Sequence, residues 1–84
     1  MQNVTIYLTN YCPFCTMAKR LLDGKGVSYD VIDVGNSKDD WAAMEARTGR
    51  NTVPQIYVGE HHVGGFDDLS AADKSGQLDQ LLNG

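Results

Sequence analysis

Apolar and polar positions change period several times along this chain, and each change marks an element. The run Val4-Thr5-Ile6-Tyr7-Leu8 is β-branched and aromatic and ends at the polar pair Thr9-Asn10, the signature of a short buried strand. From Pro13 the period becomes 3.6. Pro13 suits a first helical turn, where its missing N–H is not needed, and Met17, Ala18, Leu21 and Leu22 form one apolar face. Gly24 and Gly26 close this helix, and Val27 to Val34, with Tyr29, Val31 and Ile32, reads as a second strand. A strand–helix–strand unit of this length implies two parallel strands joined by a right-handed crossover.

After the turn Gly35-Asn36-Ser37, either Ser37 or Asp39 caps a helix that runs through Trp41, Met44 and Ala46 to about Thr48 and stops at Gly49. Val53 to Val58 forms a third strand whose second residue, Pro54, is tolerated only at a strand start or edge. Gly59-Glu60-His61 turns the chain into a short strand, His62-Val63-Gly64. A last helix follows Gly65-Phe66, with Asp67 or Asp68 at its start, Leu69, Leu78, Leu81 and Leu82 as its apolar contacts, and Gly76 as a point of breakage or kinking. The order βαβ, α, ββα predicts a four-stranded mixed sheet covered by helices on both faces. That is a thioredoxin-like α/β architecture, in one domain spanning 1–84.

Composition narrows the function classes. A chain of 84 residues can bury roughly 60–68% of the surface exposed when unfolded, so it needs neither metal nor structural disulfide to fold. The net charge is −4 and the seven basic residues form no stripe, which argues against nucleic acid as a partner. The N-terminus lacks the basic start and apolar stretch of a signal peptide, and no apolar run approaches the roughly 20 residues that span a bilayer. The expectation is a cytoplasmic monomer that engages no membrane. In that compartment stray thiols are kept reduced, so a close cysteine pair is more often catalytic or metal-binding than structural.

That pair is Cys12-Pro13-Phe14-Cys15, which holds both cysteines of the chain. Cys12 falls between the first strand and the first helix, where unpaired backbone N–H groups and the positive end of the helix dipole favour a thiolate. A free cysteine titrates at about 8.5, and this motif can lower that to roughly 3.5–7.5. Cys12 is therefore expected to be the exposed nucleophile. Cys15, one turn in, is expected to be more buried and to act as the resolving thiol that attacks a mixed disulfide on Cys12 and releases the product. Zinc is the competing chemistry, with His61 and His62 as the remaining soft ligands. Adjacent strand residues point to opposite faces, which leaves at most three ligands, so no metal is expected.

With these landmarks in place, the chain resembles the glutaredoxins, in particular the small bacterial dithiol type. The matching motifs are Cys12-Pro13-Phe14-Cys15, Ala18-Lys19 with Leu21-Leu22, Gly49-Arg50, Thr52-Val53-Pro54, and Gly64-Gly65 followed by Asp67-Asp68-Leu69. The resemblance implies a cis Pro54 that sets the Val53 backbone beside Cys12, where its N–H and C=O would pair with the cysteinyl part of glutathione. It also implies that Gly65, Phe66, Asp67 and Asp68 hold the γ-glutamyl end at a helix N-terminus, with Thr52, Phe14 and Tyr11 completing the groove. It further implies that no cofactor is built in and that glutathione is a co-substrate. The implied partners are glutathione, glutathionylated or disulfide-containing proteins and, indirectly, glutathione reductase.

Two positions depart from the family pattern, and Phe14 replaces the commoner tyrosine of the motif, keeping the apolar wall without the hydroxyl. Thr9 stands where many relatives carry a lysine, and Trp41 where they carry Arg or Gln, both directed at the glycyl carboxylate of glutathione. Lys19 and Arg50 are the candidate replacements. Phe66 occupies a position where some relatives have a further cysteine. Trp41, Met17 and Met44 read most simply as packing residues, and His61 and His62 as residues decorating a hairpin. Two other functions fit the motif: a thioredoxin-reductase-dependent redoxin that supplies ribonucleotide reductase, and an iron–sulfur carrier sharing a cluster between two copies.

Overall fold

A computed structural model describes residues 2–83; the outermost positions of the expected domain, Met1 and Gly84, lie outside the described residues. Among those residues the elements are β1 Val4–Leu8, α1 Pro13–Gly24, β2 Tyr29–Asp33, α2 Lys38–Thr48, β3 Gln55–Val58, β4 His61–Gly64, α3 Phe66–Ser75 and α4 Gln77–Asn83. The strands form one sheet in the order β2-β1-β3-β4. β1 runs parallel to β2, with Ile6 opposite Val31, and antiparallel to β3, with Ile6 opposite Ile56. β4 pairs antiparallel with β3 across an irregularity at Ile56 and Tyr57. The sheet is mixed, as the element order predicts.

Period-2 alternation along the central strands sorts side chains onto two faces. Ile6 and Ile56 go to one, where Cys15, Ala18 and Leu22 of α1, Leu69 and Ala72 of α3, and Leu78 and Leu82 of α4 meet them. Tyr7 and Tyr57 go to the other, covered by α2 through Met44 with Trp41 partly buried beside it. Trp41 and Met44 are thus packing residues, as expected. Met17 is not: it is 43% exposed, because the buried stripe of α1 follows Cys15, Ala18 and Leu22 and Met17 falls outside it.

Several boundaries differ from the sequence expectation for local reasons. β2 starts at Tyr29, after Val27 has already packed into the core beside α1. β3 starts at Gln55, since Pro54 has no N–H to give a ladder and follows a cis bond. His61 belongs to β4, leaving Gly59 and Glu60 as the turn. Ser37, of the two candidates, caps α2: its Oγ accepts from the Asp40 N–H at 3.2 Å. The expected last helix is two helices. Gly76 adopts φ +85°, a left-handed conformation that ends α3 and restarts the chain as α4. Neither Asp67 nor Asp68 is the N-cap of α3. Gly65 takes that place, and Asp68 reaches back from the third helical position to accept its N–H at 3.1 Å.

Candidate active site

Cys12 is the N-cap of α1, in extended conformation at φ −105° and ψ 111°. Its C=O accepts the first helical bond from Thr16 N–H at 3.2 Å, while its Sγ accepts from Cys15 N–H, also at 3.2 Å. The sulfur thus fills the role that a serine hydroxyl fills in an ordinary cap, taking an N–H that the helix cannot satisfy. On its other side the thiol donates to the Val53 carbonyl at 3.7 Å. Both cysteines are free thiols in this structure.

Cys15 faces inward at 1% exposure. Burial first, then its hydrogen bond with Cys12, pushes its pKa up from 9.0 to about 12. One thiol is therefore half-buried at a helix start and the other is held protonated in the core, the asymmetry expected of a nucleophile and a resolving group.

Beside Val53 opens a groove of about 230 Å3. One wall is the segment Thr52-Val53-Pro54, with Val53-Pro54 in the cis form; the other is Gly65 to Asp68 at the start of α3. Phe14 and Phe66 close one side, their rings stacked with centroids 6.2 Å apart and planes inclined by 29°. Arg50 also lines the groove and pairs with Asp68 at 3.1 Å, and this guanidinium, with the Gly65 N–H, holds the Asp68 carboxyl below its usual range. Gly64, at φ +120°, makes the approach possible: a Cβ there would stand 2.3 Å from Asp68 Oδ2.

Eight of the nine residues expected in the groove (Phe14, Thr52, Val53, Pro54, Gly65, Phe66, Asp67 and Asp68) lie together there. Tyr11 does not join them. It is 79% exposed and borders a separate groove with Val34, Gly35, Lys38 and Trp41 at the start of α2. Of the two candidate cations, Arg50 lines the main groove; Lys19 sits on α1, where its charge acts on Cys15. Thr9 is buried, and its hydroxyl has no hydrogen-bond partner among the described residues.

Two residues of the site were not singled out as such from the sequence. Gln55, fully buried at the start of β3, donates from Nε2 to the Thr52 carbonyl at 3.0 Å and to Thr52 Oγ1 at 3.2 Å. His62, which was expected only to decorate the hairpin, stands 2.7 Å from Gln55 Oε1 and stacks on Tyr57 at 4.8 Å between centroids. Burial first, then the neighbouring Arg50 charge, holds its imidazole below the usual value. The available signal was Gln55 itself, a polar residue inside an apolar run. Among the described residues, no group of three or more His, Cys, Asp or Glu is placed to hold a metal ion.

A mixed sheet with helices on both faces, and a half-buried thiol capping the helix that follows its central strand with a second thiol one turn on, define a thioredoxin-fold dithiol protein suited to thiol–disulfide exchange. Comparison with known proteins narrows the class. The glutaredoxin family model matches residues 4–63. A glutaredoxin of Neisseria meningitidis is 51% identical over 84 residues, covering 99% of each chain. The solution structure of a Brucella melitensis glutaredoxin is 48% identical with a TM-score of 0.87, covering 98% of this chain and 89% of that one. A buckwheat glutaredoxin solved as a glutathione complex is 30% identical, also with a TM-score of 0.87, over 95% of this chain and 76% of that one. The chain belongs to the glutaredoxin family, and its activity is that of a thiol–disulfide oxidoreductase.

Proposed function

We propose that this oxidoreductase is glutathione-dependent and acts on both glutathione mixed disulfides and protein disulfides. The observation that carries the reading is the continuous groove from the Val53 backbone, beside the Cys12 sulfur, to the N-terminus of α3. Its two ends suit a short peptide with a charged head. Val53 offers backbone N–H and C=O to a cysteinyl residue, as an added strand would. Unpaired N–H groups at the start of α3 suit the γ-glutamyl carboxylate, and the Asp67 and Asp68 carboxylates suit its ammonium.

In the first step the Cys12 thiolate attacks the glutathione sulfur of a mixed disulfide. A Cys12–glutathione disulfide forms, the original S–S bond breaks, and the other thiol leaves as thiolate and takes a proton from water. A glutathione thiolate then attacks the glutathione sulfur of that disulfide, which releases glutathione disulfide and restores Cys12. With a protein disulfide, Cys12 forms a mixed disulfide with the substrate protein. Cys15 gives up its proton and displaces that protein, leaving a Cys12–Cys15 bond that two glutathione molecules reduce. NADPH enters only through glutathione reductase. We also propose that it acts as a monomer in the cytoplasm, where thiols are kept reduced.

The test is turnover of a glutathione mixed disulfide in an assay coupled to glutathione reductase and NADPH. Sustained NADPH oxidation is expected, and Cys12→Ser abolishes it. Cys15→Ser keeps the reaction with small mixed disulfides but loses the reduction of protein disulfides. Turnover with thioredoxin reductase and none with glutathione overturns the reading.

A further inference from the structure

We infer that Gln55 and His62 are positioning residues: through a relay of hydrogen bonds they hold the Thr52–Val53 segment in place against Cys12. The Gln55 side-chain amide nitrogen donates to Thr52 at both its carbonyl and its hydroxyl. Its oxygen must then accept, so His62 carries a proton on Nε2 and donates it across 2.7 Å. The imidazole is in turn set by its stack on Tyr57, and Arg47 lies over the Tyr57 ring at 3.7 Å. The chain of contacts therefore begins at α2 and ends one residue before the carbonyl that faces the Cys12 sulfur.

Gln55 has no solvent exposure, so loss of the His62 donor leaves its buried oxygen unpaired. Turning the amide to find that oxygen another partner breaks its two contacts with Thr52. Neither Gln55 nor His62 lines the groove, which is why the effect on substrate must pass through Thr52 and Val53.

His62→Phe keeps the aromatic stack and removes the donor, whereas His62→Gln places an amide N–H near the position of Nε2. Gln55→Met removes the whole relay at similar volume. Two measurements read the result: the backbone amide resonance of Val53, and kcat and KM for a glutathione mixed disulfide. The kinetic arm rests on the function proposed above; the resonance does not. The Val53 amide is expected to shift in His62→Phe and Gln55→Met and to stay near its wild-type position in His62→Gln. KM is expected to rise about three- to tenfold in the first two, with kcat within about twofold and with rescue in His62→Gln. An unshifted Val53 amide in both His62→Phe and Gln55→Met, wild-type KM in both, or no rescue by His62→Gln overturns the inference. If the wild-type protein fails to turn over the glutathione substrate, it is the functional reading that fails, and the Val53 resonance alone decides this one.

Discussion

Two thiols within one motif meet opposite surroundings, and the difference can be measured one residue at a time. At pH 8 a small alkylating reagent should modify Cys12 and leave Cys15 intact, as mass spectrometry of the reacted protein would show; equal labelling would contradict the burial of Cys15. A raised pKa also has a stability consequence. With Cys15 moved from 9.0 to about 12, the native state binds that proton more tightly than the unfolded chain. The stabilisation is complete below pH 9 and is lost as pH rises toward 12. Over that window the melting temperature of reduced wild type should fall more steeply than that of Cys15→Ala. At the other end of the groove, Asp68→Asn keeps an oxygen for the Gly65 N–H but removes the charge that faces Arg50. On the proposed function, KM for a glutathione mixed disulfide rises about tenfold while the fold is retained. An unchanged KM would remove Asp68 from the binding site.

At the scale of elements, caps and glycines set what the helices can present. Ser37→Ala removes the oxygen that accepts from Asp40 N–H and should cost about 1 kcal/mol in urea unfolding, with little effect on exchange chemistry. Gly64→Ala acts on stability and site together. It forces a side chain into positive φ and drives Asp68 off the Gly65 N–H, so a loss of about 1–3 kcal/mol is expected along with weaker substrate binding. The boundaries that are legible are written locally: the Gly49 stop and the shift of period at Pro13 each involve residues within a turn of one another, whereas Ser37 and Asp39 offer α2 two local caps between which the sequence does not choose. The split at Gly76 was only half legible, since leucine spacing continues across it from Leu69 to Leu82. Helical spacing puts Met17 on an apolar stripe but does not say which edge of that stripe the sheet covers. The relay through Gln55 and His62 joins positions seven apart across a hairpin with an irregular register, and no local pattern encodes that.

For the whole molecule, the unequal loading of the sheet's faces decides which part opens first. The side with α1, α3 and α4 holds the larger buried cluster, whereas α2 contributes Met44 as its one fully buried side chain. Native-state hydrogen exchange should find the α2 amides less protected than those of β1 and α1; equal protection would show a single cooperative unit. On the larger side, Lys25 follows the last residue of α1 and is clamped between Asp73 of α3 at 2.5 Å and Asp79 of α4 at 3.0 Å. The far end of α1 is thus pinned to two other helices, while its near end carries the reactive sulfur. Cys12 and Cys15, the N-cap and third residue of α1, therefore sit at the end of the helix opposite the one that these ion pairs tie to α3 and α4.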